Sequence, residues 1–269
     1  MKKYYTVLSI AGSDPSGGAG IQADIKSISA CGCFATTAIT AVVDENTLGV
    51  YGIHPIPVNF VHGQIRSVLS DIGADAVKIG MLHSSELISS LKEILLDFGM
   101  KNIVIDPVMA ATSGGKLLLP GAISALKMEL IPICTIITPN IPEAEILSGE
   151  KITSLNDMCK IAEQLAKEYG ISVLLKGGHL GTAKITDVLF NYETNKMITL
   201  ESDYIDSKNK HGTGCSLSSA LASFLAQGLD LDAAVKRAKN YINHAIEQGA
   251  EYQIGEGNGS IHHFYNYWK

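Results

Sequence analysis

Residues 5–24, YTVLSIAGSDPSGGAGIQAD, carry the reading on which the fold depends. The stretch 5–12 is a continuous run of apolar and β-branched residues without polar alternation, as a strand covered on both faces requires. A loop of small residues follows, and Gly20 opens a helical segment whose first N–H groups are free while the bare backbone lets a ligand come close. With its leading lysines the segment has the outline of a signal peptide. The apolar run is short and polar-interrupted and meets Ser13-Asp14 at once, so a buried first strand is the better reading.

Outward from this unit the pattern repeats. Strand-like runs occur at 35–43 (ATTAITAVV), 75–80 (DAVKIG), 102–108 (NIVIDPV), 134–140 (CTIITPN) and 172–178 (SVLLKGG). Helix-period segments lie between them. In 154–169, Ser154 and Asp157 are close to a capping box, and Leu155, Met158, Ile161, Ala162, Leu165 and Ala166 form one stripe. Residues 230–247 carry Leu231, Ala234, Val235, Ala238, Tyr241, Ile242 and Ala245 at helical spacing, and Pro142 fits the first turn of a short helix after Asn140. The alternation predicts an α/β fold, a mainly parallel central sheet with helices on both faces. Near 185–203, two short strands around ETNK read as an antiparallel hairpin. No linker, low-complexity stretch or internal repeat interrupts the chain, which predicts one domain over 1–269.

Composition narrows the class. Of the 269 residues, 46% are hydrophobic and 18% charged, enough for a sizeable core and unlike a disordered chain. The net charge of -6 speaks against nucleic acid or an anionic membrane as partner. The five cysteines form no C-x-x-C pair, and Cys31-Gly32-Cys33 lacks a second pair to complete a zinc site. Reduced thiols in a cytoplasmic, soluble protein are the expectation, with Cys31 and Cys33 as small packing residues at a helix end. No run reaches the roughly 18–20 apolar residues of a membrane helix.

Ligands of open parallel sheets sit beyond the carboxyl ends of the strands, and there this sequence places SDPSGGAG, DEN, GML, DPVM, PNIPE and KGGH. Gly18-Ala19-Gly20-Ile21-Gln22-Ala23 matches a G-x-G-x-x-A dinucleotide fingerprint, with Asp44 and Glu45 where a ribose-binding acid would stand, so an NAD-dependent oxidoreductase is one reading. The loop between strand and fingerprint is longer than a Rossmann turn. A second glycine-rich stretch, HGTGCS (211–216), opens an apolar helix, and its amides from Gly212 to Ser216 can converge on an anion. TSGGKLL (112–118) lacks the hydroxyl residue of a Walker A loop, so phosphate would be handled without one. Asp106 and Glu143 are candidate magnesium partners and Lys176 a candidate phosphate contact, the set that phosphoryl transfer needs. Each also has a plain alternative: a turn cap before Pro107, an acidic first helical turn, a strand-end charge.

Taken together, IAGSDPSGGAGIQADIK, KIGML, IDPVM, ITPNIPEAE, LLKGGH, HGTGCS and the closing GSIHHFYNYW resemble the hydroxymethylpyrimidine and phosphomethylpyrimidine kinases of thiamine biosynthesis, in the ribokinase-like superfamily. The resemblance runs nearly end to end. It implies ATP- and Mg²⁺-dependent phosphorylation of 4-amino-5-hydroxymethyl-2-methylpyrimidine and then of its monophosphate, by a homodimer. It implies that Gly12, Ala19, Asp24, Met81 and Val108 line the pyrimidine pocket, that Asn140 and Glu143 serve the magnesium–phosphate arrangement, and that Gly212, Thr213 and Gly214 form an anion hole. Cys215 would stand beside the reacting hydroxyl, as a base whose thiol pKa the helix start and nearby cations lower, or as a neutral positioning group. Many family members carry glutamine where this chain has Glu45. An ionised carboxylate only accepts hydrogen bonds, which suits a 4-amino donor and tilts the reading away from the related pyridoxal kinases. A pyrimidine sensor without chemistry is the third reading. His262-His263, adjacent and without ligand partners at metal spacing, reads as a polar tail, and HHFYNYWK packs on the domain or at a subunit interface.

Overall fold

A computed structural model of the chain describes residues 2–109, 121–178 and 184–268. Strand β1 (Thr6–Ala11) feeds α1 (Gly20–Ala30), followed by β2 (Phe34–Ile39), β3 (Ala41–Asn46), β4 (Gly49–Pro55), α2 (Val58–Asp71), β5 (Ala76–Ile79), α3 (Ser85–Asp97) and β6 (Ile103–Ile105). Helix α4 (Ala122–Ala125) continues through short π and 3-10 turns to β7 (Ile136–Ile137), α5 (Ile141–Ser148), α6 (Leu155–Tyr169) and β8 (Ser172–Leu175). The hairpin β9 (Lys184–Asn191) and β10 (Lys196–Asp203) leads to α7 (Thr213–Ala226) and α8 (Leu231–Gly249).

Among the described residues eight strands form one sheet in the order β10-β9-β8-β7-β6-β5-β1-β2. Pairing is parallel from β2 through β8 and antiparallel at β9 and β10. The runs without polar alternation are explained by burial on both faces. Leu8, Ile10, Val77, Ile79 and Ile105 meet Ile65, Leu91, Leu147 and Leu165 from α2, α3, α5 and α6. Val7, Ala76, Val104 and Ile136 face the other way, onto Ile28 of α1, Leu221 and Phe224 of α7 and Val235 and Ile242 of α8. Each fully buried aliphatic side chain here contributes about 1.5–3 kcal/mol.

Both long helices keep their predicted faces, except that Leu155 at the start of α6 is 40% exposed. Ser154 caps α6 by accepting from the Asp157 amide. The predicted strand 35–43 is two strands. After Ile39 the chain leaves the sheet, because Thr40 bonds to Ala11 O and the Met81 carbonyl while Ser13 captures Ala41 and Val43. Residues 41–46 then pair antiparallel with β4 as a separate ribbon over the ends of the strands. Cys31 and Cys33 flank the end of α1 as expected, and the five cysteines are free thiols.

The polar-tail reading of His262-His263 is overturned. His263 is 4% exposed and bonds Ser216, and His262 packs against Tyr252 and Trp268. Trp268 itself is 63% exposed. No helix among the described residues is long and apolar enough to cross a membrane.

Candidate active site

A cavity of about 310 Å³ opens beyond the carboxyl ends of the parallel strands. Gly12 and Ala19 reach it from the β1–α1 loop, Glu45 from β3, Met81 from just past the end of β5, and Asp106 and Val108 from the segment that follows β6. Asn140, Glu143 and Lys176 line it beside Gly212, Thr213, Gly214 and Cys215. One residue expected in the pocket is elsewhere. Asp24 is fully buried on α1 and receives both Lys78 Nζ, 2.8 Å from each carboxylate oxygen, and the hydroxyls of Ser9 and Ser219. Its four hydrogen bonds turn it into the core and away from any ligand.

Helix α7 starts at the cavity without a side-chain cap. Gly212 takes a left-handed φ of 76°, and a Cβ there would overlap the Gly18 carbonyl, so both conformation and space require glycine. Ser216 N donates back to Gly212 O at 2.9 Å and Thr213 N to Lys210 O at 3.3 Å. The amides of Gly214 and Cys215 have no backbone acceptor among the described residues and sit where the helix dipole favours an anion. Of the expected span Gly212 to Ser216, the amides of Thr213 and Ser216 are thus spent within the chain, and that of Gly212 stays beside those of Gly214 and Cys215. A Cβ on Gly214 would lie 3.2 Å from Asp106 Oδ2 and 3.3 Å from Lys176 Nζ, so the missing side chain leaves room beside an acid–ammonium pair.

That pair is close: Lys176 Nζ donates to Asp106 Oδ1 at 2.9 Å, and Thr138 Oγ1 donates to the same oxygen. Lys176 is held next to Asn140 by a parallel bridge and by its own amide on Pro139 O. Burial opposes its charge, but the Asp106 and Glu143 carboxylates outweigh burial and keep the ammonium protonated. Asn140 and Glu143 form a reciprocal capping box at the start of α5, with Pro142 in its first turn. Burial pushes Glu143 up to about 7, with Lys176 pulling down and Asp106 adding to the rise. The oxygens of Asp106 and Glu143 at one side of the cradle suit a hard divalent cation that keeps part of its water.

Cys215 departs from its expected electrostatics. Burial pushes its thiol up to about 11 against the pull of the Lys78 ammonium, and Asp24 and Asp106 add to the rise. The Gly20 amide lowers it in turn but does not reverse the direction.

Asp14 and His211 also line the cavity; they lie inside the two glycine-rich stretches but were not singled out by the sequence. Asp14 accepts from the amides of Ser16, Gly18 and Ala19 and bonds His211 Nε2 at 2.9 Å. Burial works against its charge, yet the bonds from His211 and the loop amides hold it far below the usual carboxylate range. His211 is raised by its bond to Asp14. Glu45 is raised by burial and by Asp14, with His211 Nε2 3.8 Å away. These three groups cluster like metal ligands, but Asp14 is committed to three amides and to the imidazole nitrogen that would bind an ion. The same bonds answer the dinucleotide reading. The amides of Gly18 and Ala19, which would face a pyrophosphate, already serve Asp14, and a Cβ on Gly20 would overlap the Gly12 carbonyl. Asp44 is exposed on β3 and does not line the cavity. The one advance signal was Asp14 ahead of Pro15, a turn-forming pair. Residues 112–118 and His179 lie outside the described residues.

Comparison with known proteins agrees with this geometry. A sequence model of the family described as phosphomethylpyrimidine kinase matches residues 14–262. The hydroxymethylpyrimidine/phosphomethylpyrimidine kinase of Rhizobium meliloti (strain 1021) is 43% identical over 263 residues, covering 97% of this chain and 98% of the relative. The crystal structure of phosphomethylpyrimidine kinase from Clostridium difficile 630 superposes with a TM-score of 0.79 at 42% identity, over 90% of this chain and 99% of that one. The pyridoxal kinase of Staphylococcus aureus in complex with AMP-PCP and pyridoxal gives a TM-score of 0.88 at 34% identity, over 99% and 96% of the two chains.

Proposed function

The chain belongs to the phosphomethylpyrimidine kinase family, and from that footing we propose that it transfers the γ-phosphoryl group of ATP to 4-amino-5-hydroxymethyl-2-methylpyrimidine and then to the monophosphate formed. The observation that carries the reading is the meeting of the uncapped start of α7 with the Asp106–Lys176 pair and the Asn140–Glu143 box at one end of one cavity. Anion donors, a cation and hard oxygen ligands are what phosphoryl transfer requires.

In this reading the amides of Gly214 and Cys215 hold the oxygens of the transferring group from positions fixed before reaction, the arrangement in which backbone donors are most effective. Lys176 adds a positive charge at the same place. Asp106 and Glu143 would hold Mg²⁺, which when bound screens the phosphate oxygens. Glu143, pushed up to about 7 in the free protein, would serve there as the carboxylate and release its proton where it carries one. The pyrimidine lies toward Gly12, Ala19, Met81 and Val108, with Glu45 accepting from its 4-amino group. Cys215, neutral in the free protein, positions the attacking hydroxyl; the alcohol oxygen forms the new bond to phosphorus as the bond to the ADP oxygen breaks, and the hydroxyl proton passes to an oxygen of the transferring phosphoryl group and from there to solvent. The exposed Val42, Leu48 and Tyr51 of the β3–β4 ribbon favour a homodimer, and the same reading takes the chain as one domain acting in the cytoplasm.

Incubation with Mg-ATP and the pyrimidine alcohol, with ADP release and product mass followed together, tests the reading. ADP should form in step with the monophosphate and then the diphosphate. Pyridoxal, assayed in parallel, should be the slower alcohol because it offers Glu45 no amino donor. ADP without phosphorylated product sinks the proposal and leaves an ATP hydrolase, and neither product sinks it and leaves a binding protein.

A further inference from the structure

The closing stretch GSIHHF is unused by the chemistry above, yet it is bound into the back of the cleft. Gly257 N and Asn258 N donate to Thr47 Oγ1 and Thr47 O, at the turn of the β3–β4 ribbon that carries Glu45. His211 N donates to Gly259 O at 3.0 Å, and His211 and Ser260 form a parallel bridge. His262 N donates to Ala245 O, and Tyr241 donates its hydroxyl proton to His263 O at 3.0 Å, which fixes the segment on α8. The segment ends with His263 Nε2 hydrogen-bonded at 3.0 Å to Ser216 Oγ, both residues buried. Ser216 is the residue whose amide closes the first turn of α7 onto Gly212. A buried side-chain bond to that turn restrains the two neighbouring residues, Gly214 and Cys215, whose amides face the cavity.

We propose that His263 is a positioning residue for the anion cradle: by gripping Ser216 from behind, it fixes the first turn of α7 and the aim of the Gly214 and Cys215 amides. The imidazole does not touch the cavity, so it acts through Ser216 alone. The proposal rests on the kinase reading for its effect on turnover, but not for its effect on the helix start. Small displacements of a reacting group from its aligned position are costly, up to about a hundredfold per ångström.

His263→Leu and Ser216→Ala remove the same bond from opposite sides. Each should lower kcat by about ten- to a hundredfold with KM for the alcohol little changed. The double variant should lose no more than either single one, because both delete one interaction. His263→Gln, whose amide nitrogen reaches the position of Nε2, should restore most of kcat. Independently of turnover, the Ser216 amide should exchange its hydrogen about tenfold faster in both single variants, reflecting a looser first turn. If His263→Leu does not fold, Ser216→Ala decides alone, since it leaves every backbone contact of the segment in place. Wild-type kcat and wild-type exchange in Ser216→Ala overturn the proposal. A wild-type protein that makes no product defeats the kinase reading instead, and the exchange measurement still decides the role of His263.

Discussion

Cys215 stands at the start of one helix and near the start of another, with an ammonium beneath it, a setting in which a thiolate is usually favoured. Here burial outweighs all three, because the sulfur shares its surroundings with the carboxylates of Asp24 and Asp106, and its pKa is pushed up to about 11. The sign of this shift could not be read from the sequence. HGTGC shows the helix start but not what lies under it, and the buried carboxylates come from α1 and from the residue after β6, far away along the chain. The consequence is a thiol that is inert at neutral pH. Alkylation of Cys215 by iodoacetamide, followed on its own peptide by mass spectrometry, should still climb several-fold between about pH 9.5 and about pH 10.5, where an ordinary thiol of pKa about 8.5 has levelled off. A plateau in that range would show the thiolate forming early and restore Cys215 as a base ready in the free protein.

At the scale of elements, what the sequence revealed was periodicity. The apolar runs of β1, β5, β6 and β8, the stripes of α6 and α8 and the β9–β10 hairpin were all legible because burial leaves a local period in the residues. The break at Thr40 was not, since ATTAITAVV has one character throughout and only tertiary bonds from Ser13 and to Met81 bend it out of the sheet. Nor was the C-terminal segment legible, because adjacent histidines look polar until one of them is covered. His263 is covered: burial, and the charges of Lys26 and His262 beside it, push it down to about 3. Its unfolded pKa is about 6.5, so between about pH 6.5 and about pH 3 the unfolded chain binds the extra proton. The stabilisation is therefore complete above about pH 6.5 and is lost as the pH falls toward the folded value, by up to about 1.4 kcal/mol per pH unit from this group. Urea unfolding at a series of pH values should show wild type losing stability on acidification faster than His263→Leu. Parallel curves for the two proteins would mean that His263 is protonated inside the fold.

At the scale of the whole molecule the special feature is a charge pair inside the layer between the sheet and α1 and α7. Ser9 of β1 lies opposite Lys78 of β5 in the register, and Lys78 reaches over Gly80, where a Cβ would come within 2.8 Å of its Nζ, to meet Asp24. Asp24 is on α1 and its other partner Ser219 is on α7, so four elements are joined at one buried carboxylate. Removing one member of such a pair strands the other charge, at a cost of about 3–5 kcal/mol, whereas removing both can be nearly neutral. Lys78→Met should accordingly lower unfolding free energy by that amount, and adding Asp24→Asn should recover most of it, since the asparagine oxygen accepts from one of the Ser9 and Ser219 hydroxyls and its NH2 donates to the other. Kinetics on the double variant separate this position from the pocket role that the family resemblance suggested. With Asp24 turned into the core, KM for the pyrimidine alcohol should match wild type. A KM that rises while urea stability stays at the wild-type value would place the Asp24 carboxylate on the ligand and assign Lys78 to the active site with it.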